Sequence, residues 1–192
     1  MVANFLKYLE EKFPLTDAER ELIAEVCVVK KIRKRQYLLQ EGDLWLKNAF
    51  VSKGIFRSYR VDDKGHEHVF QFSPENWWTG DPGGYFTETP AKLNIDALED
   101  SEVVIIAKED YQRILKTIPF LGDFAKTLLE RSFVASQNRI HSLISSTAEE
   151  KYQEFIRTYP NIINRVPQHM IASYLGISAE TLSRARNTIA KK

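Results

Sequence analysis

A chain of 192 residues that is 43% apolar and 28% charged has room for one medium or two small domains with ordinary hydrophobic cores. Its 27 basic and 26 acidic side chains nearly cancel, which excludes an acidic disordered tail and a histone-like polycation. The lone cysteine, Cys27, excludes an internal disulfide and any four-thiolate zinc or iron–sulfur site within one chain. No apolar run approaches the roughly 18 residues needed to cross a bilayer, and Met1–Lys7 lacks the basic-then-apolar order of a secretion signal. The expectation is a cytoplasmic protein with no membrane partner.

Residues 2–26 carry Phe5, Leu6, Leu9 and Phe13, then Leu22, Ile23 and Val26, at helical spacings. Pro14 divides the stretch, and Thr16 or Asp17 can cap the second piece. From Cys27 to residue 106 the pattern becomes short β-branched or alternating segments separated by turn formers such as Glu41-Gly42-Asp43, Asp62-Asp63-Lys64-Gly65 and Asp81-Pro82-Gly83-Gly84. Turn signals at intervals of about 8 to 12 residues predict a small β-sandwich or jelly roll. The basic run Lys30 to Arg35 alternates like a solvated strand and is not assigned to nucleic acid. His66 and His68, which follow the charged turn at Asp62, are likewise read as a solvated edge rather than a metal or haem site.

From Pro119 the helical period runs unbroken to about Ser145, with Leu121, Ala125, Leu128, Leu129, Ser132, Phe133, Ser136, Ile140, Leu143 and Ile144 in one stripe. A helix of about 26 residues spans roughly 39 Å, more than one small β domain covers. Part of the stripe then faces something else, most economically a second copy across a two-fold axis. Leu121, Ala125, Leu128, Ser132, Phe133 and Ile140 are the candidate interface residues.

Charge is distributed unevenly. Residues 1–130 hold 18 basic and 22 acidic side chains, a net −4, whereas residues 131–192 hold 9 and 4, a net +5. A basic C-terminal segment suits a polyanion, because neutralised phosphates release condensed counterions. Residues 168–187 within it fit a helix-turn-helix. Ile171, Leu175, Ile177, Leu182 and Ala185 supply the apolar contacts between two short helices. Ala172 allows their close crossing, Gly176 suits a left-handed turn and Ser178 can cap the second helix.

That second helix would enter the major groove. Ala179 lies at its exposed start, and Arg184 suits guanine O6 and N7. Glu180 suits a cytosine amino group, and Ser183 is a weaker reader. Gln168, Thr181 and Arg186 are placed to touch phosphate. The plainer alternatives are a helical hairpin with only a packing role and, for Glu180 and Arg184, an i, i+4 salt bridge on a solvated face.

A β-roll, a long helix and a C-terminal helix-turn-helix in that order resemble the bacterial CRP/FNR family of transcription regulators, and the likeness covers nearly the whole chain. It is carried by Leu39-Gln40-Glu41-Gly42-Asp43, Val51-Ser52-Lys53-Gly54, Gly80-Asp81 and Asp96 to Val103, then by Ile171 to Ser178 and Glu180 to Arg184. The resemblance implies that Glu180, Ser183 and Arg184 read a palindrome with TGA-like half-sites. It admits RNA polymerase and an unidentified small effector as further partners.

Departures from the family pattern sharpen this reading. Members that bind cyclic nucleotides follow Gly-Glu with an Arg-Ser or Arg-Thr pair. Here the acid is Asp81, one methylene shorter, and the pair falls on Ala91-Lys92. A lysine is a point charge without the guanidinium fork that suits a cyclic phosphate, which argues against cyclic AMP. An effector pocket, if built, would involve Trp78, Gly80, Asp81, Ala91, Lys92 and Leu93; the aromatics Trp77, Trp78, Tyr85 and Phe86 either line it or belong to the core. A single cysteine cannot ligate an FNR-type cluster. The family's β-hairpin wing is expected to be absent or much reduced, with Lys192 some six residues beyond Arg186.

The expectation is an α+β chain: residues 1–117 a double-stranded β-helix (jelly roll) of the cyclic-nucleotide-binding type, 118–145 a dimerisation helix, and 146–192 a helix-turn-helix domain. It is read as a homodimer on double-stranded DNA, with no cofactor and no metal. The competing reading is a small-molecule-binding or interaction module whose last helices mediate assembly only. No motif pairs a nucleophile with a base, and the glycines at 80, 83 and 84 do not form a phosphate loop, so an enzyme is not expected.

Overall fold

The computed structural model describes residues 2–190. Two helices open the chain, α1 (Val2–Glu10) and α2 (Asp17–Val26). The break at Pro14 falls between them, and Thr16 starts α2 with a reciprocal capping box: its Oγ1 accepts from Glu19 N–H while Glu19 accepts from Thr16 N–H.

Eight strands follow: β1 (Val28–Ile32), β2 (Tyr37–Leu39), β3 (Lys47–Lys53), β4 (Phe56–Val61), β5 (Glu67–Ser73), β6 (Trp78–Thr79), β7 (Asn94–Ala97) and β8 (Ser101–Ala107), with the short helix α3 (Pro82–Thr87) between β6 and β7. They form two four-stranded antiparallel sheets in the orders β1-β8-β3-β6 and β2-β7-β4-β5. This is the expected jelly roll. The basic run Lys30–Arg35 belongs to it: Lys30 and Lys31 lie on β1, an edge strand of the first sheet, with exposed side chains.

The apolar runs of β3 and β8 reflect burial on both sheet faces. Ala49, Val51 and Val103 point between the sheets, where they meet Trp45, Phe56, Leu93 and Ile95. Phe50, Val104 and Ile106 point outward against Phe5, Leu9 and Ile23 of the first two helices and Ile114 of α4 (Lys108–Thr117).

After α5 (Pro119–Ser145), the second sheet is covered on its outer face by the helices α6 (Ala148–Thr158), α7 (Gln168–Leu175) and α8 (Ala179–Ala190). Ile55, Tyr59, Val69 and Phe72 from the roll form one core with Tyr152, Phe155, Tyr159, Ile162, Ile171, Leu175 and Leu182. The helices after α5 thus borrow their floor from the roll. A bulge makes this possible: Ser58 pairs with Gln71 and Tyr59 with Val69, so Phe70 has no opposite number. The extra residue inverts the alternation and sets Val69 and Phe72 on the same outer face.

The long helix is 27 residues, Pro119 to Ser145 as expected. Its stripe does not serve one interface. Leu121 is buried at 2% exposure in the chain's own core beside Ile114 and Ile118, which corrects its assignment to a partner surface. The first turns pack on the roll and its flanking helices, so an apolar residue there is already covered. Ala125 and Leu128 are half-buried, whereas Ser132, Phe133 and Ile140 are exposed.

Because roll and C-terminal helices share a core, denaturation should be a single transition. All three tryptophans, Trp45, Trp77 and Trp78, lie in the roll and report it by fluorescence, while far-ultraviolet circular dichroism reports the helices. The two curves should coincide, and Phe155→Ala should lower both together by about 3–5 kcal/mol. A separate helical transition would show two independent units.

Candidate nucleic-acid interface

The helix-turn-helix forms where expected. α7 stops at Gly176, whose φ of +65° is left-handed, and Ile177 N–H reaches back to Ala172 C=O at 3.1 Å. A side chain at this position would be strained and would meet Leu143 Cδ2 of α5 at 3.2 Å. Ser178 begins α8 by accepting from Thr181 N–H at 3.1 Å, and the two hydroxyls are 2.9 Å apart. Thr181 is therefore half-buried in the cap, which engages the hydroxyl expected to touch phosphate.

Leu182 and Ala185 face the core, leaving Ala179, Glu180, Ser183 and Arg184 exposed on the outer face of α8. Arg184 Nη2 donates to Glu180 Oε1 at 2.8 Å, and their side chains are 72% and 78% exposed. Such a solvated i, i+4 pair is worth a few tenths of a kcal/mol, against about 1–3 kcal/mol for a bidentate contact with a base, so DNA can recruit both residues.

Two further expected contacts lie elsewhere. Arg186 is two residues past Arg184, about 200° round the helix. It borders a depression of about 290 Å³ between α6 and α8 with Tyr152, Ile156 and Asn187, and Ser183 also lines its rim. Gln168 is half-buried at the start of α7, with its Oε1 enclosed and without a protein partner.

The docking of α7 involves residues that sequence reasoning passed over. Ser173 Oγ accepts from Val69 N–H at 2.9 Å and donates to Glu67 C=O at 3.0 Å, pairing groups on the free edge of β5. Arg139 of α5 donates to Tyr174 C=O at 2.9 Å and stacks 3.9 Å from the Tyr174 ring centroid. Burial lowers its guanidinium pKa, which nearby Tyr174 and Tyr159 partly restore. Before α7, Arg165 bridges two turns of the roll, to Glu75 at 2.6 and 3.1 Å and to Glu99. These pairs join residues 66 and 90 positions apart, and nothing local marks them.

The residues expected to build an effector pocket do not line one cavity: Asp81 meets the Lys92 backbone, while other side chains of the set point elsewhere. Trp78 pairs with Phe50 across β6 and β3 and packs edge-on to Phe5 and Phe50 on the outer face of the first sheet, away from the roll interior. Pairing with β3 fixes that direction. Ala91 and Leu93 are buried between the sheets, and the Lys92 side chain is exposed. Gly80 lies so close to Trp45 that a Cβ would come within 2.9 Å of its Nε1. Asp81 caps α3, accepting from Gly83 N–H at 3.1 Å and from Lys92 N–H at 3.4 Å. Tyr85 bonds Asn48, Phe86 is exposed, and Trp77 stacks near Tyr159.

His66 and His68 both bond Asp62 Oδ2, at 3.2 and 3.0 Å, and His68 first among these contacts holds that carboxyl well below its usual range. Among the described residues no group of three or more metal-ligating side chains converges. Burial pushes the Cys27 thiol up to about 12, leaving little thiolate at neutral pH. No helix among the described residues is long and apolar enough to cross a membrane. Beyond Arg186, where the wing was expected to be absent or much reduced, α8 continues to Ala190, and residues 191–192 lie outside the described residues.

Residues 29–118 match the family model of the cyclic nucleotide-binding domain. The chain is thus a cyclic-nucleotide-binding-type β-roll joined to a helix-turn-helix. It is 26% identical to the fumarate and nitrate reduction regulatory protein of Vibrio cholerae, over 90% of this chain and 73% of that one. It is 27% identical, with the same coverage, to electron transport regulator A of Shewanella oneidensis. Its fold is similar to that of FixK2 from Bradyrhizobium japonicum, with a TM-score of 0.75 at 18% identity over 86% of this chain and 85% of the other. In sequence and in fold the chain is thus similar to these regulatory proteins over most of its length.

The Arg165 bridge gives a prediction with a definite sign. Burial alone would raise the Glu75 carboxyl, but hydrogen bonds from Arg165 and Gly54 N–H outweigh it and hold the pKa below the usual range. A lowered folded-state pKa contributes stability above the ordinary carboxylate range that is lost as pH falls through the folded value. Thermal midpoints from pH 7 to 3 should therefore show Glu75→Gln less stable than wild type near neutrality, with the gap closing in acid. A constant gap would exclude this ion pair as its source.

Proposed function

We propose that this chain is a DNA-binding transcription regulator of the CRP/FNR family that acts in the cytoplasm as a homodimer on a two-fold symmetric promoter site, with one α8 in each of two successive major grooves. The observation that carries the reading is the capped α8 with Glu180, Ser183 and Arg184 together on its solvent face. In the relatives' branch of the family this trio implies a TGA-like half-site. The recognition helices would lie about 34 Å apart, one turn of DNA.

Self-association is supported by the far half of α5, where Leu129, Phe133, Val134, Ile140 and Ile144 are 55, 65, 56, 52 and 81% exposed. So many large apolar side chains on one exposed helix are costly unless a partner covers them. Phe133 and Ile140 are seven residues apart and therefore aligned, as in a two-helix seam. RNA polymerase is the machinery such a dimer would act on. Any effector is a small molecule other than cyclic AMP, because Asp81 is occupied as a helix cap and no arginine follows it at Ala91-Lys92.

The test is selection of bound DNA from a random pool by the purified protein at two salt concentrations. A symmetric site with TGA-like halves is expected, with affinity falling steeply as salt rises. Arg184→Ala should weaken the selected site by about 1–3 kcal/mol and relax preference at one position of each half. An unchanged preference would remove α8 as the reading helix. Self-association without DNA binding would favour an assembly module.

A further inference from the structure

We propose that Ser173 and Arg139 are positioning residues that latch α7 to the β-roll and the long helix, fixing the angle at which the recognition helix is presented. The inference deepens the reading above and rests on it for its consequence on DNA, while the latch itself is testable without DNA.

Three elements meet at Val69. As an outer residue of the edge strand β5, it has backbone groups that no strand pairs on that side. Ser173 Oγ takes its N–H at 2.9 Å and gives a proton to Glu67 C=O at 3.0 Å, so one hydroxyl serves as donor and acceptor at once. Arg139 Nη2 lies 3.4 Å from Val69 C=O and 2.9 Å from Tyr174 C=O. Tyr174 is in the last turn of α7, where carbonyls lack helical partners and a cation is favoured. The guanidinium plane meanwhile covers the Tyr174 ring at 3.9 Å, and that ring packs on Phe72, Phe155 and Tyr159.

The geometry separates attachment from orientation. The shared apolar core holds the helix-turn-helix against the second sheet, but hydrophobic contact is non-directional and permits small rotations. Hydrogen bonds from a short serine and a planar guanidinium are directional. They run to two references: β5, which belongs to the roll, and α5, which carries the proposed self-association face. Gly176 adds a close approach to the same helix, since its Leu143 neighbour leaves little space. A rotation of α7 would break the Ser173 pair first. Two recognition helices must reach both halves of one site together, so a loss of fixed orientation should weaken binding to the whole site while leaving each half readable.

The experiment compares wild type, Ser173→Ala and Ser173→Ala/Arg139→Lys, all checked for folding by circular dichroism. Nuclear magnetic resonance reads amide exchange at Val69 and the alignment of α5 and α8 by residual dipolar couplings. Titration measures affinity for the selected palindrome and for an isolated half-site. Wild type should show a protected Val69 amide and one alignment tensor for both helices. In the double variant Val69 should exchange at least tenfold faster and the helices should require separate tensors. Palindrome affinity should fall tenfold or more, with half-site affinity within about twofold.

A single tensor persisting in the double variant would overturn the latch, as would an unchanged palindrome affinity with Val69 released. If wild type selects no DNA but the tensors separate on mutation, the DNA-binding reading fails and the latch stands.

Discussion

The C-terminal helices have no complete core of their own, and the outer face of the second sheet supplies what they lack. Side chains of a strand alternate between faces, so Val69 and Phe72, three residues apart, could not share one without an inserted residue. Phe70 is that insertion. In its absence Phe72 would turn inward toward Phe56 in an interior already filled by Trp45, Leu93 and Ile95. The bulge thus does two things at once: it keeps the roll interior from overpacking and gives Phe155, Tyr159 and Tyr174 an aromatic floor. Arg57 steadies the same sheet from β4, paired to Asp96 of β7 at 2.8 and 2.9 Å and to Glu67 of β5. Glu67 also offers the carbonyl that Ser173 takes, so charge pairing within the sheet and docking of α7 converge on one residue.

The segment around Asp81 shows how the length of one side chain decides what a carboxylate binds. Asp81 is short enough to fold back on α3 and accept from Gly83 N–H and Lys92 N–H. An incoming anion would meet a carboxylate already holding those donors. With Lys92 in solvent and Ala91 in the core, no guanidinium offsets that repulsion. The fold of a nucleotide-binding domain is retained here by its cores, which depend on Phe56, Ile95 and Val103 and not on phosphate. Fold and ligand chemistry are separable, as expected when a site is grafted on a scaffold.

Much of this architecture is legible in the sequence, for identifiable reasons. Helix periodicity and Pro119 mark α5, Pro14 and a cap at Thr16 or Asp17 mark the start of α2, and Gly176 and Ser178 mark the turn and cap of the helix-turn-helix, because each signal acts within a few residues. What a buried face packs against is not a local property. Leu121 carries the same periodic signature as Phe133, yet one meets Ile114 of its own chain and the other meets solvent. Trp78 looks like a pocket residue beside Gly80 until pairing with Phe50 directs it outward. Ser173, Arg139 and Arg165 are ordinary polar residues whose partners lie 35 to 106 positions away, so neither motif nor spacing could announce them.

The long helix explains why these distant contacts are concentrated where they are. Its first turns are held by the roll through Leu121, while its later turns leave that support and expose Phe133 and Ile140 along one line. Arg139 is one residue before Ile140, about 100° round the axis, and so addresses a different flank. A partner bound along the exposed line would leave Arg139 free to hold Tyr174 and Val69 of its own chain. Rotation of α5 about its axis would move both surfaces together, because a helix transmits twist as a rigid rod over this length. Were copies to associate along that line, Arg139 would be the side chain of α5 that ties the proposed interface to the seat of α7.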